Sequence, residues 1–498
     1  MTSIDVSEGL PATRTIKSRW RRIVTAIPAQ QSLPLLQRLR AVEPRSMSGL
    51  PSVVWDQAEG FLVRDPYGNQ WIDLSSGIVL TNVGHAHPRI IEAIRLATEV
   101  KLLATYAYSQ APRLALLEKL VALSPIPNSK AILFSAGTEA TECAMMLMRR
   151  RGRAIHPQKV GIVSFADSYH GRTLAASLAS GNSRNIDWIT REKVHHYQIP
   201  FPFGPRWPWG DADEDPTGER AFHACLAALS EQGVQPDRIA GFMLESVPGW
   251  ATWPMPVGFA GALMEWAHAN DVLLCCDEVQ SGCGRTGKFF GFEHCGLQPD
   301  LIALGKGLSS SLPVSAVVGR CELLDDPAAG EMSSTHGGNP VCAAAALANL
   351  NVLEDEHLVA VSARTGALAL ARLQAVLAPF SDRILSVHGR GLFISIHFRR
   401  PEDGEPDAVL ADAVVSEAVA RGVMMFFTHR GYLKFTPPLC IDPEAALEAA
   451  DVIGECVAAA TLALYGAPPA ESVPIPKHHI QRHAVATKVV PNNNRQER

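Results

Sequence analysis

The chain has 498 residues, 47% of them hydrophobic and 19% charged, with a formal net charge of −5 at pH 7. That length exceeds one hydrophobic core and predicts two or three domains, while the acidic balance argues against nucleic acid as a partner, which needs a basic face. No apolar stretch approaches the roughly 18 residues that span a bilayer, and the ten cysteines are scattered without the paired spacing of a metal site, so neither a membrane nor a metal is expected.

Residues 1 to about 30 are polar and irregular. They lack the apolar centre of a signal peptide, and Asp5 and Glu8 argue against a transit peptide, so a cytoplasmic location is expected. The basic knot Arg19-Trp20-Arg21-Arg22 reads as a solvated arm or an oligomer contact. Phe61 to Arg64, a turn at Asp65-Pro66-Tyr67-Gly68-Asn69, and Trp71 to Leu74 predict a hairpin. From about 110 to 345, helical patterns alternate with short apolar runs at Lys130–Phe134, Val160–Phe165, Ile239–Leu244, Val272–Cys276 and Leu301–Leu304. Such alternation predicts an α/β domain with a mostly parallel sheet covered by helices. Beyond 346 the texture changes. A helix over Ala343 to Leu353, strands near Gly391–Phe398 and Tyr432–Thr436, and helices around Pro443–Leu464 describe a smaller α+β domain. The expected divisions are 1–75 (arm and small-domain segment), 76–345 (large domain), 346–465 (C-terminal small domain) and 466–498, a mobile tail whose His478 and His479 read as solvated rather than metal-binding.

Two of the apolar runs end in single charges. Leu301-Ile302-Ala303-Leu304 leads into Gly305-Lys306-Gly307, and Val272 to Cys276 leads into Asp277-Glu278-Val279-Gln280. Strand-like runs ending this way place the charge at the carboxyl edge of a sheet, where α/β folds bind ligands. A lone lysine there is usually a solvated surface group and a lone acid often a helix cap. Here Gly305 and Gly307 strip side chains from around the amine, as close approach to a ligand requires. A lysine and an aspartate so placed suit pyridoxal phosphate: the lysine forms a Schiff base with its aldehyde, and the aspartate keeps the pyridine nitrogen protonated so that the ring accepts electrons.

Four further segments carry weaker signals. Ser135-Ala136-Gly137-Thr138 between a strand and a helix is a phosphate site with Gly137 and Thr138 as donors, although an ordinary capped helix start looks the same. Tyr169, in Ser168-Tyr169-His170-Gly171, could stack on a flat heterocycle or fill the core. Glu245 ends the run Gly241 to Leu244 and alone reads as a cap or a solvated acid. Ser334-Thr335-His336-Gly337-Gly338-Asn339-Pro340 offers polar donors before a helix.

In this order the segments resemble the class III (subgroup II) pyridoxal-phosphate-dependent aminotransferases of fold type I, which include 4-aminobutyrate and other ω-amino-acid aminotransferases. The likeness runs from about residue 50 to 460 and is most specific over Asp277 to Lys288, followed by Pro299-Asp300-Leu301 and the Lys306 segment. Gly84-His85-Ala86-His87-Pro88 matches as well. The resemblance implies a large domain with a seven-stranded, mostly parallel sheet and a smaller α+β domain. It implies that Lys306 holds the cofactor, that Asp277 pairs with the pyridine nitrogen, and that Gln280 lies near the ring hydroxyl. It further implies that Tyr169 stacks on the ring and that Gly137 and Thr138 bind the phosphate, with Thr335 from a neighbouring subunit. Glu245 would lie on the substrate side and Ile78 would line the pocket. The implied reaction moves an amino group from a primary amine or ω-amino acid to pyruvate or 2-oxoglutarate by a ping-pong route, with Lys306 as the proton carrier, in a homodimer or dimer of dimers with shared sites.

The chain departs from the 4-aminobutyrate-type pattern at several positions. Where a glutamate gates an arginine in those members, this sequence has Trp250 and Lys434, with Pro248 in place of a glutamine. Arginine and lysine are not interchangeable at a carboxylate clamp, and Arg430 is the nearby residue able to take over. Met146 and Met148 replace a lysine and an alanine in the helix after the phosphate turn, which reads as a packing change. The competing readings are a racemase, epimerase, aminomutase or decarboxylase on the same fold, and a non-catalytic scaffold, against which the intact Lys306 and Asp277 argue.

Overall fold

The computed structural model describes residues 15–466 apart from 48, 182–187, 190–194, 203–214 and 216. The expected tail, with His478 and His479, lies outside the described residues.

The first sheet gathers N-terminal strands β1 (Ile16–Lys17), β2 (Arg22–Ile23), β3 (Gln57–Glu59), β4 (Leu62–Arg64) and β5 (Gln70–Asp73) in the order β1-β2-β5-β4-β3. β4 and β5 form the expected hairpin, in register Val63 to Trp71. The basic knot is docked in part: Arg21 is partly buried, while Arg19 and Arg22 stay exposed. Arg21 Nε reaches Glu448 at 2.6 Å and Arg19 reaches Glu444 at 3.1 Å, both acids on the helix Pro443–Tyr465.

The central sheet has seven strands: β6 (Ser129–Phe134), β7 (Gly161–Phe165), β8 (His196–Ile199), β9 (Ile239–Leu244), β10 (Leu273–Asp277), β11 (Leu301–Leu304) and β12 (Ser315–Arg320), ordered β6-β12-β11-β10-β9-β7-β8. Only β12 runs against its neighbours; the remaining pairs are parallel. The five apolar runs read from sequence are all strands. β8 was not legible because His196-Tyr197-Gln198-Ile199 is a mixed edge strand, nor was β12, which enters antiparallel. β7, β9, β10 and β11 are buried along their whole length, as parallel strands covered on both faces must be. Met148, on the helix Gly137–Ile155, fills the space above Gly241 on β9, where an added Cβ would lie 2.2 Å from its sulfur. The substitution at that helix is therefore a matter of packing.

The C-terminal sheet orders β13 (Ile384–Arg390), β14 (Phe393–Phe398) and β16 (Tyr432–Phe435), all antiparallel, beneath the helices Leu358–Leu377, Ala408–Ala420 and Pro443–Tyr465. A short β15 (Val423–Met424) leaves this region to pair in parallel with β5, and Trp71 Nε1 donates to Val419 O at 2.8 Å. The segment before residue 75 thus packs with the C-terminal elements. Among the described residues no helix is long and apolar enough to cross a membrane.

One arginine joins the three regions. Arg285 follows the turn after β10 and is wholly buried. Its guanidinium donates to Pro437 O at 2.5 Å, Leu392 O at 3.1 Å and Asn82 Oδ1 at 2.8 Å, and its own carbonyl accepts from Ser362 Oγ. Burial pulls its pKa down to about 9, against the pull of the Asp73 carboxylate and the Cys440 thiol. Replacing it by Met strands several buried oxygens, so Arg285→Met should lower unfolding stability by roughly 2–4 kcal/mol. Arg285→Lys should rescue little of that loss, because one ammonium cannot span the same acceptors; an unchanged denaturation midpoint in either variant would refute this role.

Candidate active site

Adjacent parallel strands bring three charges to one edge. Register pairs Leu244 with Cys276 and Asp277 with Ala303. Glu245 just past β9, Asp277 ending β10 and Lys306 just past β11 therefore stand at neighbouring strand ends, as sequence placed them. Lys306 opens a short 3₁₀ turn with φ +42, an unfavourable region for a side-chain-bearing residue that tends to mark functional sites. Burial holds its amine below the ordinary lysine range, while the carboxylates of Asp277 and Glu245 oppose that shift.

Asp277 is 3% exposed. Its Oδ2 lies 2.7 Å from His170 Nδ1, and its Oδ1 accepts from Val279 N at 3.0 Å. His170 is a site residue that sequence reasoning passed over: it sits beside Tyr169, but its contact is to a residue 107 positions away. Glu245 is equally buried and is neither a cap nor a solvated acid. Its carboxylate accepts from Tyr169 N at 2.8 Å and Gly249 N at 3.0 Å. Burial raises its pKa; His170 opposes the shift and Asp277 adds to it. Tyr169 is not a core residue. Its ring is 42% exposed, with Lys306 Nζ 5.7 Å and Arg172 Cζ 5.6 Å from its centroid.

Gly137 and Thr138 begin the helix Gly137–Ile155, whose first amides face outward without intrahelical acceptors. Val279 packs on this turn so closely that a Cβ on Gly137 would lie 3.0 Å from it, and one on Gly305 would lie 3.3 Å from it and 3.5 Å from Gly137 Cα. The helix start and the Lys306 turn are therefore neighbours. Thr138 Oγ1 meets Thr173 Oγ1 at 2.8 Å. Ser334 donates to Glu139 at 3.1 Å, which brings the Thr335 loop of the same chain to this helix start, with Thr335 itself exposed.

On the other side of Lys306, Lys434 of β16 donates to Gln280 Oε1 at 3.2 Å. Its ammonium stands 5.7 Å from the Phe393 ring and 5.9 Å from Phe426. Burial lowers its pKa to about 7, helped by the nearby charges of Lys306 and Arg430 and opposed by Glu245. Arg430 is half-buried in the loop before β16. Gly249 faces Gln280 so tightly that a Cβ would come within 2.4 Å of its amide, and Trp250 follows it, partly buried, packing edge-on to Trp253 at 6.3 Å. Ile78 is 40% exposed and lies in a turn in which Ser76, Gly77, Ile78 and Val79 all have positive φ. That left-handed turn costs roughly 1–2 kcal/mol per non-glycine residue and is held by Ser76 Oγ donating to Thr436 O at 2.6 Å. Nothing in the sequence announced it.

The Lys434 shift has a signed consequence. Below pH 7 both folded and unfolded chains hold its proton, and the cost of burying the charge is present in full. Between about 7 and the ordinary 10.5 only the unfolded chain stays protonated, so this residue's contribution to stability rises with pH across that window. Lys434→Met should remove that rise, seen as a smaller gain in Tm from pH 7 to 9 than in the parent protein. An identical pH dependence in the two proteins would contradict the buried placement.

Comparison with known proteins agrees with this geometry. Residues 44–457 match the family model described as aminotransferase class-III. The chain is 32% identical over 452 residues to a 4-aminobutyrate aminotransferase of Mycobacterium leprae, covering 87% of this chain and 97% of that protein. It is 30% identical over 451 residues to an alanine/serine racemase of Pyrococcus horikoshii, covering 89% and 94%. Among solved structures, a transaminase from a marine Virgibacillus superposes with a TM-score of 0.76 at 26% identity, covering 87% of this chain and all of that one. A fold of this type, with a lysine and two buried carboxylates at the carboxyl edge of its central sheet, places the chain in the class III aminotransferase family.

Proposed function

We propose that this aminotransferase uses pyridoxal phosphate bound at Lys306 to take the amino group from a primary amine or ω-amino acid, 4-aminobutyrate being the model donor, and pass it to pyruvate or 2-oxoglutarate. The observation that carries the reading is the convergence of Lys306, Asp277 and Glu245 at adjacent strand ends. The residues present fit the cofactor. Asp277 is buried, is oriented by His170 and Val279 N, and keeps lone pairs free for a protonated ring nitrogen. The Gly137–Thr138 helix start is an anion site beside the lysine. Tyr169 offers an open ring face next to the amine, and Gln280 would lie near the ring hydroxyl. When bound, the cofactor supplies an electron sink for the carbon next to the reacting nitrogen.

The protein's own groups do the rest. Lys306 Nζ, kept below its ordinary pKa by burial, is suited to take a proton from that carbon and to return it to the carbon on the other side of the nitrogen. Asp277 would accept a hydrogen bond from the protonated ring nitrogen, and Glu245 fixes Tyr169 and Gly249 through their backbone amides. Ile78 and Trp250 would line the substrate side. With Lys434 engaged by Gln280, Arg430 is the cation left for an acceptor carboxylate. The amine's carbonyl product leaves before the keto acid enters, which makes the kinetics ping-pong.

The finer assembly follows from surface chemistry. Val100, Leu103 and Tyr108 are 72%, 60% and 80% exposed, and Tyr106 Oη bonds Ser333 Oγ at 3.0 Å, next to Thr335. An apolar surface at the phosphate loop suits a homodimer, or a dimer of dimers, in which a partner covers the site. All ten cysteines are unpaired thiols, in keeping with a reducing cytoplasm.

The test is the visible spectrum of protein loaded with pyridoxal phosphate. A yellow band should form in the parent and not in Lys306→Ala, bleach on adding 4-aminobutyrate or a simple amine, and return with pyruvate or 2-oxoglutarate. Light scattering of the same sample should give at least twice 53.7 kDa. A band that no amine bleaches would favour racemisation, and a monomer would refute the shared site.

A further inference from the structure

A cluster of rings joins the loop behind the active site to the C-terminal sheet. His388 on β13 lies flat against Trp253, ring centroids 3.7 Å apart and planes 7° from parallel. His397 on β14 stands 5.1 Å from Trp253 and 5.3 Å from His388, and Tyr432 on β16 continues the cluster 5.4 Å from His397. The register of β14 with β16 pairs His397 with Tyr432 and Ser395 with Lys434. Tyr432 therefore shares its strand with Lys434, and His397 lies on the strand paired with it.

Polar contacts seal the joint. Ala251 O accepts from His388 Nε2 at 2.6 Å and from Ser395 Oγ at 2.8 Å, and Thr252 Oγ1 meets Ser395 Oγ at 2.9 Å. The turn itself is closed by Thr252 N donating to Pro248 O at 2.7 Å, with Thr252 at φ +57 and fully buried. With Nε2–H given to Ala251, His388 Nδ1 is a buried lone pair with no partner among the described residues. Burial brings His388 down to about 4, so at neutral pH the ring is an uncharged flat surface, well suited to stacking on an indole. One turn earlier, Gly249 N holds Glu245 and Gly249 abuts Gln280. Trp250 packs its edge on Trp253, and Val247 joins Val79 and Phe393, the ring facing Lys434.

We propose that Trp253, stacked on His388 and His397, is a positioning residue for amine specificity: it clamps the Pro248–Thr252 turn to the Lys434 sheet and so makes Trp250 a fixed apolar wall of the donor pocket. The inference rests on the aminotransferase reading and sharpens its substrate class. A fixed indole wall selects donors whose group beyond the reacting amine is compact and uncharged over donors that carry a distal carboxylate.

The experiment uses cofactor-loaded full-length protein and the variants Trp253→Leu, Trp253→Phe and His388→Phe, with a short alkyl amine, an aryl-alkyl amine and 4-aminobutyrate as donors. Trp253→Leu should raise KM for the preferred amine by roughly three- to tenfold, the worth of a lost ring stack. It should also narrow the preference among the three donors, and leave kcat within about twofold and the yellow band and its pH response unchanged. Trp253→Phe should restore most of the preference. His388→Phe keeps the stack and loses only the bond to Ala251, so it should give a smaller change in the same direction, and it decides the matter if Trp253→Leu does not fold. Unchanged donor preference in Trp253→Leu, or in His388→Phe where that variant decides, would overturn the proposal. So would an equal loss of kcat for every donor with no change in KM, the mark of a purely structural residue. Failure of the aminotransferase reading would show separately, as a parent protein whose yellow band responds to no amine.

Discussion

The site depends on a buried arginine that never touches it. Arg285 lies one turn beyond Asp277 and binds oxygens from three separate stretches: Asn82 behind the left-handed Ser76–Val79 turn, Leu392 at the head of β14, and Pro437 just past Lys434. A planar guanidinium can hold several acceptors in fixed directions, which an ammonium cannot. The Ser76–Val79 turn, the head of β14 and the end of β16 are therefore referred to one rigid fork. That constraint also explains how the strained Ser76–Val79 turn persists, since Ser76 Oγ bonds Thr436 O and lies 3.4 Å from the same guanidinium. Strain of this kind survives where surrounding contacts over-determine it.

Around that frame, charge is concentrated where a water-filled surface would otherwise disperse it. Two carboxylates and two lysines share a small volume, and burial moves their proton affinities in the useful directions. The Lys306 and Lys434 amines are made more willing to be neutral, and the Glu245 carboxyl more willing to be protonated. Nearby, Glu278 is held by two serine hydroxyls and the amides of Gly291 and Phe292, yet burial still brings it to about 7. It shapes the loop rather than the chemistry. Lys306 at the sheet edge, a second lysine bonded to Gln280 and a turn bearing Trp250 stand together here.

The edge of the central sheet was legible in the sequence because apolar runs ending in a charge leave a one-dimensional mark: Glu245, Asp277 and Lys306 could each be read from their own neighbours. The Gly137–Thr138 turn left a weaker mark, small residues between a strand and a helix, which an ordinary capped helix start also shows. What could not be read were contacts made at long range. His170 meets Asp277 across 107 positions, and Arg285 looks like an ordinary loop arginine until its acceptors arrive from residues 82, 392 and 437. The mixed strand β8 hides because its residues alternate in no useful way, and the docking of Arg21 hides because Glu448 lies more than 400 residues away. Sequence also left Lys434 and Arg430 both as candidates, and the bond from Lys434 to Gln280 was not legible there, because it spans 154 positions.

The central claim is that Lys306, and not the neighbouring Lys434, carries the cofactor. Borohydride reduction of the protein loaded with pyridoxal phosphate, followed by peptide mapping, tests it directly. The account predicts one covalent pyridoxyl label on the peptide containing Lys306. A label on Lys434, or none on either lysine in fully loaded protein, would contradict it.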